Sequence, residues 1–167
     1  MSLSRLAQSI AESPTLKLNE EARILRAQGE DVINLGIGEP KNPAPQTAVD
    51  SAVAMLNKGD IKYTPTGGLP SLKKAVIAYT EEHYGRVPRP ENVIVTAGAK
   101  QAIHVLLFAL LNPQDEVILM APYWVSYPEM VRMVGGVPVI VMPEDATYLP
   151  RMQDLRQAVS SRTKAVI

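Results

Sequence analysis

The chain has 167 residues, 46% of them apolar, which makes it long and hydrophobic enough to bury a core. Its 17 basic side chains balance its 17 acidic ones, so neither a nucleic acid nor an anionic membrane surface is expected as a partner. The absence of cysteine excludes disulfides, zinc knuckles, iron–sulfur centres and thiol nucleophiles, and the presence of only two histidines argues against a metal site.

The N-terminal part of the chain is predicted to begin with short helices. Residues 3–10 have the apolar spacing of a helix that Pro14 closes, residues 18–28 form a second helical pattern, and residues 32–35 are predicted to be a short strand. The first residues lack the apolar run of a secretory signal, and no stretch approaches the roughly 18 apolar residues of a membrane span. We therefore expect a soluble, cytoplasmic protein.

Two further helices, separated by a turn, are predicted in the middle of the chain. Residues 47–57 place their apolar side chains on one face, and residues 63–70 are rich in proline, threonine and glycine. The next helix ends at Gly85. Its buried stripe is expected to consist of Leu72, Ala75, Val76 and Tyr79.

From Pro90 onward, predicted strands alternate with predicted helices. The strands cover residues 92–96, 116–120, 137–142 and 164–167, and the helices cover residues 99–111, 126–134 and 155–159. This alternation predicts an α/β fold, in which a mostly parallel sheet is flanked by helices and preceded by the N-terminal helical segment. Since the helix at 99–111 is apolar at nearly every position after Ile103 except His104, we expect it to be interior.

The turn at residues 96–100, with the sequence TAGAK, joins a predicted strand to a predicted helix. Such a turn leaves backbone N–H groups and the positive end of the helix dipole available to an anion such as phosphate. The alternative interpretation is that small residues merely allow a tight turn between the two elements.

Two other turns carry candidate binding residues. Trp124, the only tryptophan, follows the predicted strand at 116–120 and is suited to stacking on a flat heterocycle, although a large core residue is the alternative. Gly38 has no side chain, so its backbone N–H can approach a carboxylate. The glycine spacing around Gly38 does not match the dinucleotide fingerprint, and the sequence has no phosphate-binding P-loop motif and no Ser-His-Asp order.

Four segments, in this order, resemble the N-terminal part of the class I aminotransferases, the pyridoxal-phosphate enzymes of fold type I, and most of all the bacterial aspartate aminotransferases. They are NLGIGEP at residues 34–40, KYTPTGG at 62–68, VTAGAKQA at 95–102 and PYWVSYP at 122–128. The resemblance covers effectively the whole chain. It implies that residues 1–45 belong to the small domain and the active-site cover, and that residues 46–167 form the first part of the large, cofactor-binding domain.

The resemblance also implies roles at pyridoxal 5'-phosphate. Gly98, Ala99 and Lys100 would lie at the phosphate, which the N–H groups of the turn and of the helix start would bind. Trp124 would stack on the pyridine ring. Tyr63 would reach the phosphate of the neighbouring subunit, because enzymes of this family share their active sites across a homodimer.

Three residues acquire a substrate role from the same resemblance. Gly38 would face the α-carboxylate of the amino acid, while Lys100 and Thr15 would lie near the distal carboxylate of a dicarboxylic substrate. The alternative for Lys100 is a solvated side chain in the first helical turn. The implied reaction moves an amino group between an amino acid, such as aspartate or another dicarboxylic or aromatic one, and a 2-oxo acid.

One part of the family pattern is missing from the chain. In these enzymes a lysine forms the Schiff base with the cofactor, downstream of an N-x-x-N-P-x-G motif, and no lysine of this chain has that context. The resemblance therefore implies no catalytic residue here, and we expect a fragment that is inactive alone and self-associates. The alternative is a non-catalytic module that keeps the partial sheet and binds a phosphorylated ligand or a partner.

Overall fold

The computed structural model describes residues 2–36, 38, 40, 42–144 and 147–167. The helices in these ranges are α1 (Arg5–Ser9), α2 (Pro14–Ala27), α3 (Gln46–Asn57), α4 (Pro70–Tyr84), α5 (Ala99–Leu110), α6 (Ser126–Met133) and α7 (Met152–Ala158). The strands are β1 (Glu116–Met120), β2 (Val137–Val141) and β3 (Thr163–Val166). None of the helices in the described ranges is long and apolar enough to cross a membrane.

The three strands form one parallel sheet in the order β2-β1-β3. The central strand β1 is almost entirely buried, and Val117, Ile118 and Leu119 have no exposed surface. A continuous apolar run of this kind is typical of a parallel strand with neighbours on both sides and helices over its faces. The predicted α/β fold with a parallel, helix-flanked sheet is therefore confirmed.

The chain divides into two compact units, one made of Met1–Gly38 and Ile103–Ile167 and the other of Glu39–Ala102. The first unit contains the sheet and its core. The core cluster consists of Leu107, Leu111, Val117, Leu119, Met130 and Val131. A Cβ atom on Gly136 would lie 2.9 Å from Leu111 Cδ1 and 3.0 Å from Val131 Cγ1, so this position accepts only glycine without a shift of the core.

Two predicted strands are absent from the structure. Residues 32–35 have no strand partner, and residues 92–96 continue from a 3₁₀ turn at Pro90–Asn92 as extended chain. A strand needs a neighbouring backbone to accept and donate its hydrogen bonds. Among the described residues, 92–96 make one backbone hydrogen bond to a segment distant in the chain, from Val95 N–H to Gly67 O at 3.1 Å. The apolar composition of both segments therefore did not indicate strand pairing.

The predicted burial of two helices is wrong. The helix α4 has no buried residue, and its expected buried stripe is exposed at Leu72, Ala75, Val76 and Tyr79. The expectation that the whole of α5 is interior is also wrong. Leu107 is 2% exposed, but its neighbour Leu106 is 57% exposed, and Leu107 is the one buried residue of the helix. A helix that is apolar on every side needs cover on every side, and within the described residues only one stripe of α5 packs on the core.

Proline 14 also differs from its predicted role. It was expected to close the first helix, but α1 ends at Ser9 and Pro14 is the first residue of α2. The first position of a helix suits proline, because the N–H that proline lacks would have no intrahelical acceptor there. The second helix is therefore longer than its apolar pattern predicted.

Candidate active site

The turn that enters α5 is built around Gly98. Its φ of +83° lies in the left-handed region, which favours glycine, and its carbonyl accepts the N–H of Ala102 at 3.3 Å. Gly98 is thus the N-cap residue of a 12-residue helix whose first residue is Ala99. Because glycine has no side chain, the N-cap offers no acceptor of its own to the N–H groups of the first turn.

Three hydrogen bonds hold this turn in shape. The N–H of Gly98 donates to Thr96 O at 2.9 Å, and Thr96 Oγ1 donates to Gly98 O at 3.1 Å. The third is formed by Gln101, whose side-chain Oε1 accepts the N–H of Ala97 at 2.5 Å. Sequence reasoning did not assign a role to Gln101, although a glutamine at the third helical position is the signature of one half of a capping box.

The geometry of the turn fits an anionic group such as a phosphate. The first N–H groups of a helix have no intrahelical acceptor, and the helix dipole makes this end electropositive. A Cβ atom on Gly98 would meet nothing within 4 Å, so the approach to the turn is open. Gly98, Ala99 and Lys100 are consecutive here and exposed, as the predicted phosphate role requires.

Trp124 lies just beyond the carboxyl end of β1, in the first unit. Its ring meets that of Tyr127 edge to face, with centroids 5.5 Å apart and planes at 90°, and the N–H of Tyr127 donates to Trp124 O at 3.0 Å. Tyr127 in turn packs against the core cluster. Trp124 is 41% exposed, so the structure contradicts the alternative that it is a buried core residue. A supported and partly exposed indole can stack on a planar ligand.

The N-terminal candidates, Thr15 and Gly38, also belong to the first unit. Thr15 is half-buried in the first turn of α2, whereas Gly38 is exposed and a Cβ atom there would meet nothing within 4 Å. Neither has a described contact that identifies a ligand. A cavity of about 260 Å³ lies between α2 and residues 32–36.

Two asparagines hold the segment that leads to Gly38. Asn34 Nδ2 donates to Asn19 Oδ1 at 2.8 Å, and Asn34 Oδ1 accepts the N–H of Gly36 at 2.9 Å. The second bond is an Asx turn, in which the side chain accepts an N–H two residues along. Sequence reasoning missed this role of Asn34, which the Asn-x-Gly spacing could have indicated.

Tyr63 belongs to the second unit, together with the turn at residues 96–100. Its relative exposure is 106%, so none of the residues that the structure describes covers the side chain. The loop that follows it borders a cavity of about 510 Å³, whose lining includes Gly67, Lys73 and Lys74. The full exposure of Tyr63 leaves its hydroxyl available to a group outside the chain.

The carboxylate of Glu116 lies at the other end of β1 from Trp124 and has two side-chain partners. Hydrogen bonds from Ser160 and Arg162, in that order of effect, hold the pKa of Glu116 below its ordinary value. Glu116 joins the starts of two strands, and this is a structural role. Among the described residues, no group of three or more His, Asp and Glu side chains could hold a metal ion.

Comparisons with known proteins identify the family. A family model described as "Aminotransferase class I and II" matches residues 30–167. The aspartate aminotransferase of Geobacillus stearothermophilus is 45% identical over 100% of this chain and 43% of its own length. The aspartate/prephenate aminotransferase of Thermus thermophilus is 42% identical over 99% of this chain and 43% of its own length.

Solved structures give the same result. The aspartate aminotransferase of Thermus thermophilus with maleate superposes with a TM-score of 0.92 at 41% identity, covering 99% of this chain and 44% of that one. The enzyme of Rhizobium meliloti superposes with a TM-score of 0.91 at 33% identity, covering 99% of this chain and 42% of that one. The chain spans less than half the length of the relatives it matches.

Proposed function

This chain belongs to the class I and II aminotransferase family, and we propose that it supplies the phosphate-binding and ring-stacking part of an aminotransferase site. The observation that carries the proposal is the turn entering α5, where Gly98 caps the helix without a side chain and the space beside Gly98 is open. Family membership implies pyridoxal phosphate in general, and binding of that cofactor by this chain is part of the proposal.

Each candidate residue has a distinct role toward pyridoxal phosphate. Gly98, Ala99 and Lys100 lie at the phosphate, which N–H groups of the helix start bind, and Trp124 stacks on the pyridine ring. Tyr63 reaches the phosphate held by a second copy of the chain in a homodimer, a role that its complete exposure supports. When bound, the cofactor supplies an electron sink for the bonds at the amino acid's Cα.

The substrates we propose are an amino acid and a 2-oxo acid, with a dicarboxylic acid such as aspartate favoured. Gly38 contacts the α-carboxylate through its backbone N–H, and Lys100 and Thr15 contact the distal carboxylate. The names of the relatives support this choice, as does the Thermus thermophilus enzyme solved with maleate, which is a dicarboxylate.

We further propose that residues 1–45 belong to a small domain that covers the active site and that residues 46–167 belong to the large domain. We assign no catalytic residue to this chain, because none of its lysines stands in the context of the family's cofactor-binding lysine. On this proposal the chain binds and orients the cofactor but does not transaminate alone. We propose that the reaction takes place in the cytoplasm.

Titration of the chain with pyridoxal phosphate tests the proposed function. Trp124 is the sole tryptophan, so stacking should quench the protein's fluorescence as the cofactor saturates the site. Trp124→Leu should bind the cofactor roughly five- to tenfold more weakly by calorimetry, since an aromatic pair contributes about 1 kcal/mol beyond its buried area.

A matched variant serves as the control in this titration. Tyr84→Leu removes another exposed aromatic ring, on α4, and should leave the affinity unchanged. Absence of saturable binding by the unsubstituted chain would overturn the proposal. Binding of inorganic phosphate as tight as that of the cofactor, without an effect of Trp124→Leu, would favour the phosphate-ligand module instead.

A further inference from the structure

We propose that Gln101 is a positioning residue, which holds the turn at residues 96–100 in the shape that receives the phosphate. Its carboxamide reaches back from the first turn of α5 and accepts the N–H of Ala97 at 2.5 Å. The inference rests on the proposed function, because it concerns the same phosphate-binding turn.

The need for this contact follows from the glycine at the N-cap. In a full capping box the N-cap side chain and the side chain at the third helical position each accept a backbone N–H. Gly98 has no side chain and cannot form the first half. Gln101 forms a shifted version of the second half, because its side chain accepts the N–H of Ala97 and not that of the N-cap residue Gly98.

The hydrogen bond of Gln101 therefore fixes the Ala97 peptide, a part of the turn that the ligand itself does not contact. Thr96 and Gly98 are already joined by two hydrogen bonds, whereas the peptide N–H of Ala97 depends on Gln101 for its acceptor. With that acceptor removed, the Ala97 peptide can rotate, and the adjoining N–H groups lose their fixed direction. Preformed donors bind an anion more tightly than donors that must first be ordered.

A purely structural role for Gln101 is a poor fit to its surroundings. The side chain is exposed, so its removal leaves no cavity in a core. Leucine has nearly the same helix propensity as glutamine, and so Gln101→Leu should leave α5 intact. The consequence of the substitution should then appear in phosphate binding and not in folding.

Calorimetric titration of the unsubstituted chain, Gln101→Leu and Gln157→Leu with pyridoxal phosphate and with pyridoxal tests the inference. For Gln101→Leu the dissociation constant of pyridoxal phosphate should rise roughly fivefold, the factor that corresponds to one ordinary hydrogen bond. The dissociation constant of pyridoxal, which lacks the phosphate, should not change. Gln157→Leu replaces an exposed glutamine on α7 and should match the unsubstituted chain for both ligands.

A second variant and a spectroscopic readout separate positioning from misfolding. Gln101→Glu keeps an oxygen that can accept the Ala97 N–H, so the Ala97 amide resonance should stay protected from exchange in this variant and lose protection in Gln101→Leu. At about 1 M salt, where the added charge is screened, Gln101→Glu should bind pyridoxal phosphate within roughly twofold of the unsubstituted chain.

The outcomes distinguish this inference from the proposed function. If the unsubstituted chain binds pyridoxal phosphate but Gln101→Leu binds it equally well, the inference fails and the proposed function stands. If Gln101→Leu weakens both ligands alike, Gln101 supports the fold and not the phosphate turn, and the inference again fails. If the unsubstituted chain shows no saturable binding, both fail together.

Discussion

Glu116, the first residue of the central strand, is joined to Arg162, which precedes β3, by two hydrogen bonds. Arg162 donates to Glu116 Oε1 from Nε at 2.9 Å and from Nη2 at 2.5 Å. Ser160 Oγ donates to the other carboxylate oxygen at 2.5 Å, and the N–H of Glu116 donates to Arg162 O at 2.9 Å. These contacts connect residues 44 and 46 positions apart and attach β3 to β1 where both strands begin.

The Glu116 contacts predict a specific dependence of stability on pH. Because Ser160 and Arg162 lower the pKa of Glu116 in the folded chain, its contribution to stability is fully present above the ordinary value of 4.5. That contribution is lost as the pH falls from 4.5 through the lowered folded pKa. Glu116→Gln should therefore melt at a lower temperature than the unsubstituted chain at pH 7, with the difference shrinking in acid.

Thermal unfolding followed by circular dichroism across this pH range checks the prediction. The same substitution at Glu81, an exposed residue on α4, provides the control and should leave the melting temperature unchanged. A Glu116→Gln difference that stays constant down to the acid limit would show that the carboxylate charge is not what stabilises the junction.

Two adjacent leucines on α5 predict opposite results on truncation. Leu107→Ala should lower the free energy of unfolding by about 2–5 kcal/mol, since it removes a buried side chain from the core cluster. Leu106→Ala should change it by no more than about 0.5 kcal/mol, because that side chain is already exposed to water. Urea unfolding of the two variants measures both values, and equal losses would contradict the one-sided burial of α5.

Gly98→Ala should lower both the affinity for the cofactor and the free energy of unfolding. The left-handed backbone costs a residue with a side chain about 1–2 kcal/mol, and the space around the added Cβ is open, so the strain is confined to the backbone. We expect the turn to relax and the affinity for pyridoxal phosphate to fall with it, which calorimetry measures.

Gly59→Ala is the matched control for this substitution. Gly59 also has a positive φ, of +66°, and open space around it, but it lies after the end of α3 and outside the turn at residues 96–100. Gly59→Ala should lower the unfolding free energy by a similar amount and leave the affinity for pyridoxal phosphate unchanged. A loss of affinity in both variants would mean that general destabilisation, and not the geometry at Gly98, controls cofactor binding.

Tyr63→Phe should leave the stability of the isolated chain within about 0.5 kcal/mol of its original value, since the hydroxyl contacts nothing that folding buries. If Tyr63 serves a second copy, the substitution should lower the affinity for pyridoxal phosphate only at protein concentrations where sedimentation detects a dimer. An equal loss of affinity in the monomer would indicate that the hydroxyl contacts the cofactor phosphate bound by its own chain.

The shape of the turn at residues 96–100 was predictable from sequence because its determinants are local. The positive φ of Gly98, its role as N-cap and the start of α5 at Ala99 depend on residues within one helical turn. The reach of Gln101 to Ala97 is equally local, and a capping-box pattern could have revealed it. The partial exposure of Trp124 was not predictable in the same way, because it depends on where Tyr127 packs against the core.

The sequence by itself determined the order of helices and strands, the α/β class and the four motifs that identify the family, since apolar period and turn residues act over a few neighbouring positions. Only the tertiary structure decided that residues 32–35 and 92–96 form no strand, that α5 buries Leu107 and exposes Leu106, and that Glu116 contacts Arg162. Strand pairing, burial and ion pairing depend on groups distant in the chain, and no local pattern specifies which of those groups will be adjacent.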